Sequence, residues 1–124
     1  MNHKKIIHIV DDEIDILDSI KEQLEFLSEC EIKIYSNVDQ AMDSLTKNPH
    51  GILVTDIKMP GKNGIFLLNW IQEKEIKLKA IICMTGYSDY DFETLKQFGV
   101  THFFKKALDY DSFVESIEEI ITAF

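Results

Sequence analysis

The chain has 124 residues, 45% of them hydrophobic and 28% charged, so we expect residues 1–124 to form one soluble globular domain. No stretch approaches the roughly 18 apolar residues of a membrane span, and the apolar run 6–10 is too short for a signal peptide. We therefore expect a cytoplasmic protein without a membrane partner, in which Cys30 and Cys83 are reduced thiols. The net charge of −9 and the lack of arginine argue against direct binding of nucleic acid.

Short apolar runs alternate with amphipathic stretches along the whole chain, which predicts five strand–helix units. The strands are expected near 5–10, 31–35, 51–56, 79–84 and 101–104, and the helices near 13–28, 37–47, 63–74, 88–97 and 110–123. Five such units predict an α/β fold, a single doubly wound parallel sheet of five strands with helices on both faces. Right-handed crossovers favour the strand order 2-1-3-4-5.

Polar residues follow four of the predicted strands. Asp11 and Asp12 come after the first strand, Asp56 ends the third, Thr85 follows the fourth and Lys106 follows the fifth. Because the carboxyl ends of parallel strands lie along one edge of the sheet, we expect these side chains to meet in one crevice. Three carboxylates, a hydroxyl and an ammonium suit a divalent cation and a phosphoryl group.

The acidic residues of this crevice predict a Mg²⁺ site. Adjacent carboxylates repel one another, and a hard cation with oxygen ligands relieves that repulsion. We predict that Asp12 and Asp56 are direct ligands, and that Asp11 acts through water or as a charge partner. The backbone carbonyl of Lys58 is predicted to complete the protein ligands.

The same residues suit phosphoryl transfer, because one aspartate can attack a phosphoryl donor and become an aspartyl phosphate. Catalysis of such a transfer consists mostly of positioning and cationic stabilisation. Mg²⁺ would supply one positive charge and Lys106 the other, while Thr85 offers a hydroxyl donor. Each residue alone has a simpler explanation as a helix cap, a turn or a solvated loop, and only their joint placement favours this chemistry.

The sequence resembles the receiver domain of two-component response regulators over essentially its whole length. The matching stretches are 9–13 (IVDDE), 56–64 (DIKMPGKNG), 84–86 (MTG) and 99–106 (GVTHFFKK). The resemblance implies a flavodoxin-like fold in which Asp56 is the phosphoryl acceptor and Asp11 and Asp12 hold Mg²⁺. It also implies that Thr85 is the switch hydroxyl and Lys106 the lysine of the family's site.

Phe103 stands where the family carries its switch aromatic side chain. The resemblance implies that phosphorylation draws Thr85 toward the new oxygens, that Phe103 moves inward, and that the surface formed by residues 88–123 changes. A sensor histidine kinase or histidine phosphotransfer protein would donate the phosphoryl group, and a downstream protein or output domain would receive the signal. The domain would be a regulator whose only reactions are its own phosphorylation and slow dephosphorylation, not an enzyme.

Two positions near the site are expected to modulate it, and one departs from the family. Lys58 and Tyr87 each lie two residues beyond a site residue, where they would hinder water and slow dephosphorylation. Ala107 follows Lys106 where the family usually has proline after a cis peptide bond. A cis bond before a non-proline residue costs about 3 kcal/mol, so a trans bond or a strained cis bond is expected.

Three other functions are weighed against this one. A Mg²⁺-dependent phosphohydrolase of the haloacid dehalogenase type needs a second acid two residues after its nucleophile, where this chain has Lys58. A flavodoxin-like cofactor binder needs a first loop that cradles phosphate, whereas the acids at 11–13 repel it. A degenerate receiver would act only as a phosphorylation-independent interaction module, and Ala107 leaves this possibility open.

Overall fold

The computed structural model describes residues 5–86, 90–106 and 109–123. The elements, in chain order, are β1 (Lys5–Val10), α1 (Ile14–Leu24), β2 (Cys30–Tyr35), α2 (Val38–Lys47), β3 (Ile52–Asp56), α3 (Gly64–Glu73), β4 (Ala80–Thr85), α4 (Phe92–Lys96), β5 (His102–Lys105) and α5 (Tyr110–Thr122). All neighbouring strands are parallel, in the order β2-β1-β3-β4-β5. The predicted fold class is confirmed. Within the described residues, none of the helices is both long enough and apolar enough to cross a membrane.

Two apolar layers hold the helices against the sheet. One layer joins the sheet to α1 and α5 through residues such as Leu17, Ile20 and Phe113, and the other joins it to α2, α3 and α4. The strands β3 and β4 are buried at every residue, as expected of parallel strands that are covered on both faces. The sheet is therefore a firm support for residues at its edge.

Two helices are several residues shorter than predicted, and the bounds of the other three differ from the prediction by at most one residue at either end. The first ends at Leu24 and not at 28, because the chain then turns, with the Cys30 N–H donating to the Leu27 carbonyl at 2.9 Å. Leu27 lies beyond the end of the helix but still packs in the core. The apolar spacing of the first helix therefore continues into the turn that follows it. The fourth helix is described only from Phe92, where the Asp91 side chain caps it by accepting from the Thr94 N–H at 2.8 Å. Residues 87–89 lie outside the described part of the chain.

The strand order places the ends of β1 and β3 side by side. Val10 is opposite Thr55 in the parallel register, so the residues that follow them, Asp11 and Asp56, are neighbours. The order along the sheet reverses at β1, which has β2 on one side and β3 on the other. Open α/β sheets bind ligands in the crevice at such a reversal.

A buried polar network lies beneath this edge, along β1 and β2. His8 Nδ1 is 3.0 Å from the Tyr35 hydroxyl oxygen, which in turn lies 2.6 Å from Ser44 Oγ. His8 Nε2 is 3.1 Å from the His50 carbonyl oxygen. Burial lowers the pKa of His8 to about 4, so the ring is neutral at pH 7 and serves as a packed hydrogen-bonding group.

Both cysteines are buried free thiols, as predicted. Cys83 lies within β4. Burial, with a smaller contribution from the charge of Asp56, raises the pKa of the Cys83 thiol to about 12. The thiolate is the reactive form of cysteine, so Cys83 is an inert part of the core.

Candidate functional site

Three carboxylates meet at the carboxyl edge of the sheet, between β1 and β3. Asp11, Asp12 and Asp56 each contribute one oxygen to a group whose members all lie within 4.8 Å of one another. Asp11 and Asp56 are 0% and 3% exposed, whereas Asp12 is open to solvent. The structure thus brings together the three acids that the sequence placed at strand ends.

Lys106 reaches into this acidic group from the end of β5. Its backbone N–H donates to the Thr85 carbonyl at 2.8 Å, which fixes the start of the loop after the strand. Its ammonium nitrogen lies 3.0 Å from Asp56 Oδ2 and 3.1 Å from Asp11 Oδ2. The ammonium is therefore shared between two buried carboxylates, and its side chain is only 13% exposed.

Glu13 is a member of the site that sequence reasoning missed. Its carboxylate lies 3.1 Å from the Lys106 ammonium, and its backbone N–H donates to Asp11 Oδ1 at 2.9 Å. As the residue before α1, it makes no side-chain cap with the helix, because the side chain turns to Lys106 instead. The only sequence signal was its place directly after the acid pair, which also suits an ordinary helix start.

Burial dominates the electrostatics of the site. Desolvation raises the pKa of Asp11 to about 6, against the opposing effect of hydrogen bonds from Glu13 and Lys106. Desolvation also raises the pKa of Asp56, although Lys106 and the Ile57 N–H favour its ionised form. For Lys106, burial lowers the pKa, but the contacts with Asp56, Glu13 and Asp11 outweigh it and the net shift is upward. The lysine is therefore firmly charged.

The donor set fits a hard divalent cation. Oxygen atoms of carboxylates are the ligands that Mg²⁺ prefers, and three are available here. The buried Asp11 Oδ2 accepts no hydrogen bond from any described residue, since its contact with Lys106 lacks hydrogen-bond geometry. Buried carboxylate oxygens are normally satisfied, so this atom has capacity for a cation or an ordered water.

A small cavity of about 160 Å³ opens the site to solvent. It is lined by Glu13, Asp56, Lys58, Gly86 and Lys106. Lys58 is exposed at its rim, which agrees with a position from which it can affect access to Asp56. The role of the Lys58 backbone carbonyl as a Mg²⁺ ligand remains a prediction.

A second cavity, of about 410 Å³, lies beside Thr85 on the side of α4. Thr85 is 2% exposed, and Phe103 on β5 is half-buried. Both residues line this cavity, together with Phe92 and Lys105. Lys105 is exposed and lies on the same side of β5 as Phe103, while Lys106 enters the acidic site. Tyr87 and Ala107 lie outside the described residues.

The fold and the arrangement of these residues define a class of protein, the response regulator receiver domain. The sequence matches that family over residues 7–118, and the chain belongs to it. The resemblance found in the sequence is thereby confirmed.

Two relatives are transcriptional regulators. The chain is 31% identical over 120 residues to the uncharacterized transcriptional regulatory protein YesN of Bacillus subtilis, covering 93% of this chain and 32% of that protein. It is 30% identical over 108 residues to the transcriptional regulatory protein FixJ of Azorhizobium caulinodans, covering 83% of this chain and 48% of that protein. The chain thus spans about a third to a half of the length of these curated relatives.

Solved structures agree with this assignment. The response regulator protein TrrA of Thermotoga maritima, in complex with Mg²⁺ and BeF, matches with a TM-score of 0.79 and 28% identity, covering 94% of this chain and 98% of that chain. The chemotaxis protein CheY4 of Vibrio cholerae matches with a TM-score of 0.82, covering 95% of this chain and 99% of that chain. At 18% identity, the second likeness supports the fold alone.

Proposed function

We propose that Asp56 accepts a phosphoryl group from a phosphohistidine on a sensor histidine kinase or a histidine phosphotransfer protein, with Mg²⁺ bound nearby. The observation that carries the proposal is the meeting of three carboxylates within 4.8 Å with an ammonium 3.0 Å from Asp56 Oδ2. Asp11, Asp12 and Asp56 would hold the cation, with the Lys58 carbonyl as a further ligand. The relative TrrA, which was solved with Mg²⁺ and BeF, lends support.

The transfer is a displacement at phosphorus. A carboxylate oxygen of Asp56 forms a bond to phosphorus as the bond from phosphorus to the donor's imidazole nitrogen breaks. The electron pair of that bond stays with the nitrogen, and a ring that carries a proton on its other nitrogen leaves as neutral imidazole. When bound, Mg²⁺ supplies positive charge to the phosphoryl oxygens.

The chain's own residues prepare Asp56 for this step. The Ile57 N–H donates to Asp56 Oδ1 at 2.8 Å, which fixes the plane of the carboxylate. Burial raises the pKa of the Asp56 carboxyl, and the contacts with Lys106 oppose that rise by favouring the ionised form. An anionic oxygen is the nucleophile that the step requires. After transfer, we propose that Lys106 contacts the new phosphoryl oxygens and that the Thr85 hydroxyl donates to one of them.

The switch is proposed to follow from the movement of Thr85. Aspartyl phosphate adds charge and acceptor oxygens beside Thr85, and Phe103 would move toward the space that the threonine leaves. The two side chains already line one cavity, which supports this coupling. The surface of residues 88–123 would then carry the change to a downstream protein or output domain.

The relatives bear on the expected partners. Two of them are named transcriptional regulators, so the prediction that nucleic acid is not a partner finds no support in the comparisons. We propose it only for this domain itself, where 22 acidic residues outnumber 13 basic ones. Cytoplasmic localisation likewise remains a proposal.

Intact mass of the purified chain tests the proposed acceptor. After incubation with acetyl phosphate and Mg²⁺, the wild-type chain is expected to gain one phosphoryl group, and Asp56→Asn none. Asp15→Asn, which neutralises an exposed aspartate in the first turn of α1, is the matched control and should be labelled like wild type. Labelling of Asp56→Asn to the wild-type extent would refute Asp56 as the acceptor.

Lys58 is expected to slow the loss of the phosphoryl group. Its exposed side chain stands at the rim of the cavity that leads to Asp56, where it obstructs an attacking water. Lys58→Ala should speed hydrolysis of isolated phosphoprotein roughly threefold to tenfold, which corresponds to about 1 kcal/mol of barrier. Lys62→Ala, an exposed lysine of the same loop, should leave the rate unchanged. Equal rates for all three proteins would contradict this role.

A further inference from the structure

We propose that Phe92, the first residue of α4, is a positioning residue that holds Phe103 in its half-buried place and thereby sets how readily the phosphorylated state forms. The inference rests on the proposed function, to which it adds a control element. The two rings are stacked, with centroids 6.3 Å apart and an interplanar angle of 21°.

Phe92 is itself held on its own helix. The Lys96 ammonium lies 4.7 Å from the centre of the Phe92 ring, and Glu93 fixes that ammonium at 3.1 Å. Asp91 caps the same turn by accepting from the Thr94 N–H. Contacts within α4, together with packing against the core, therefore fix the orientation of the Phe92 ring that stacks on Phe103.

The helix that carries this ring is weakly tied to the rest of the domain. α4 has only five residues, of which Leu95 is fully buried and Phe92 is half-buried against the core. A short helix with few apolar contacts moves more easily than the longer helices beside it. The contact between Phe92 and Phe103 is thus both a restraint on Phe103 and a restraint on the first turn of α4.

The proposal requires that inward movement of Phe103 breaks this stack. Phe92, Phe103 and Thr85 line one cavity, and in the proposed switch a Phe103 ring that moves toward Thr85 gives up its stack on Phe92. The stack therefore favours the unphosphorylated arrangement. If only a small fraction of the unphosphorylated protein has Phe103 inward, the rate of phosphorylation is proportional to that fraction.

Loss of the stack should therefore speed phosphorylation. The interaction free energy of an aromatic pair of this kind corresponds to about a threefold to tenfold change in the population with Phe103 inward. The rate with acetyl phosphate and Mg²⁺ is expected to rise by that factor in Phe92→Leu. Phe92→Tyr, which keeps a ring in place, should restore the wild-type rate.

The matched control is Phe66→Leu on α3. Phe66 is another phenylalanine with a lysine over its ring, since Lys62 lies 5.3 Å from the ring centre, and it is exposed. Its ring takes no part in the stack of Phe92 on Phe103, so its substitution should leave the rate unchanged. Lys96→Gln is a milder variant on the surface of α4, and a smaller rise in the same direction is expected.

The position of the Phe103 ring distinguishes the proposed role of Phe92 from a merely structural one, which would leave that position unchanged. Fluorine NMR of chains labelled with 4-fluorophenylalanine, assigned with Phe103→Leu, follows its resonance without donor and with Mg²⁺ and beryllofluoride. Without donor, Phe92→Leu should move the resonance toward its position in the beryllofluoride-bound wild type.

The outcomes separate the two proposals. If the wild-type chain gains a phosphoryl group on Asp56 while Phe92→Leu matches Phe66→Leu in rate and in the Phe103 resonance, the role of Phe92 is refuted and the proposed function stands. If the wild-type chain gains none, the proposed function fails and the role of Phe92 fails with it.

Discussion

Lys106→Met is expected to lower the free energy of unfolding by about 3 kcal/mol in the absence of Mg²⁺, because removal of one partner leaves buried charges uncompensated. The Lys106 ammonium lies within 3.1 Å of Asp11, Glu13 and Asp56 oxygens. Asp11 and Asp56 are almost fully buried, so neither can recover its hydration when the ammonium is gone.

The loss should depend on pH and on the cation. The stabilisation by Lys106 requires ionised carboxylates, and it declines as pH falls through the Asp11 pKa of about 6. The difference between wild type and Lys106→Met should therefore shrink on acidification. Addition of Mg²⁺ should also reduce it, because the cation replaces the missing positive charge.

Urea unfolding at pH 7.5 and at pH 5 measures these effects. Lys62→Met is the matched control, since Lys62 pairs with Asp39 on the surface and exposed pairs contribute only about 0 to 1 kcal/mol. An equal loss of unfolding free energy for the two substitutions would mean that Lys106 does not stabilise the buried carboxylates.

Gly64→Ala is expected to destabilise the domain by about 3 kcal/mol and to reduce phosphorylation by an order of magnitude or more, roughly tenfold to a hundredfold. A Cβ on residue 64 would overlap the carbonyl oxygen of Asp56 and lie 2.9 Å from Ile57 Cα. Neither backbone atom can give way alone, because the Gly64 N–H also donates to the Ile57 carbonyl at 2.9 Å. The added methyl group must displace the segment that carries the acceptor.

Gly61→Ala is the control from the same loop. Gly61 has φ 73°, and a Cβ added there would meet no described atom within 4 Å, so alanine meets only the backbone penalty of about 1 to 2 kcal/mol. Its phosphorylation rate should stay near that of wild type. Both variants are checked by the rate of phosphorylation with acetyl phosphate and by the unfolding midpoint in urea. Similar results for the two would show that the close approach of residue 64 to the backbone of Asp56 and Ile57 is not the cause.

The fold could be predicted because its signals are local. Five apolar runs mark the strands, and only one small doubly wound order is common for five such units. The ends of the helices were harder to predict from the sequence. Leu27 continues the apolar spacing of α1 but packs from a turn, and the cap at Asp91 starts α4 later than the predicted residue 88.

The site was predictable where a strand end fixes a side chain, as for Asp11, Asp56 and Lys106. The part played by Glu13 was not, because its contact with Lys106 joins distant parts of the chain across the mouth of the site. The stack of Phe92 on Phe103 was hidden for the same reason. Sequence spacing does not report which rings face each other between a helix and an edge strand.

The central claim is that Asp56 takes up the phosphoryl group in a cation-dependent reaction. The most direct measurement treats the chain with acetyl phosphate, reduces the product with borohydride, which converts an aspartyl phosphate to homoserine, and locates the changed residue by peptide mass spectrometry. With Mg²⁺ present, we expect the conversion at position 56 alone, and after chelation of Mg²⁺ we expect almost none. Conversion at another residue, or equal conversion at Asp56 with and without the cation, would contradict the account.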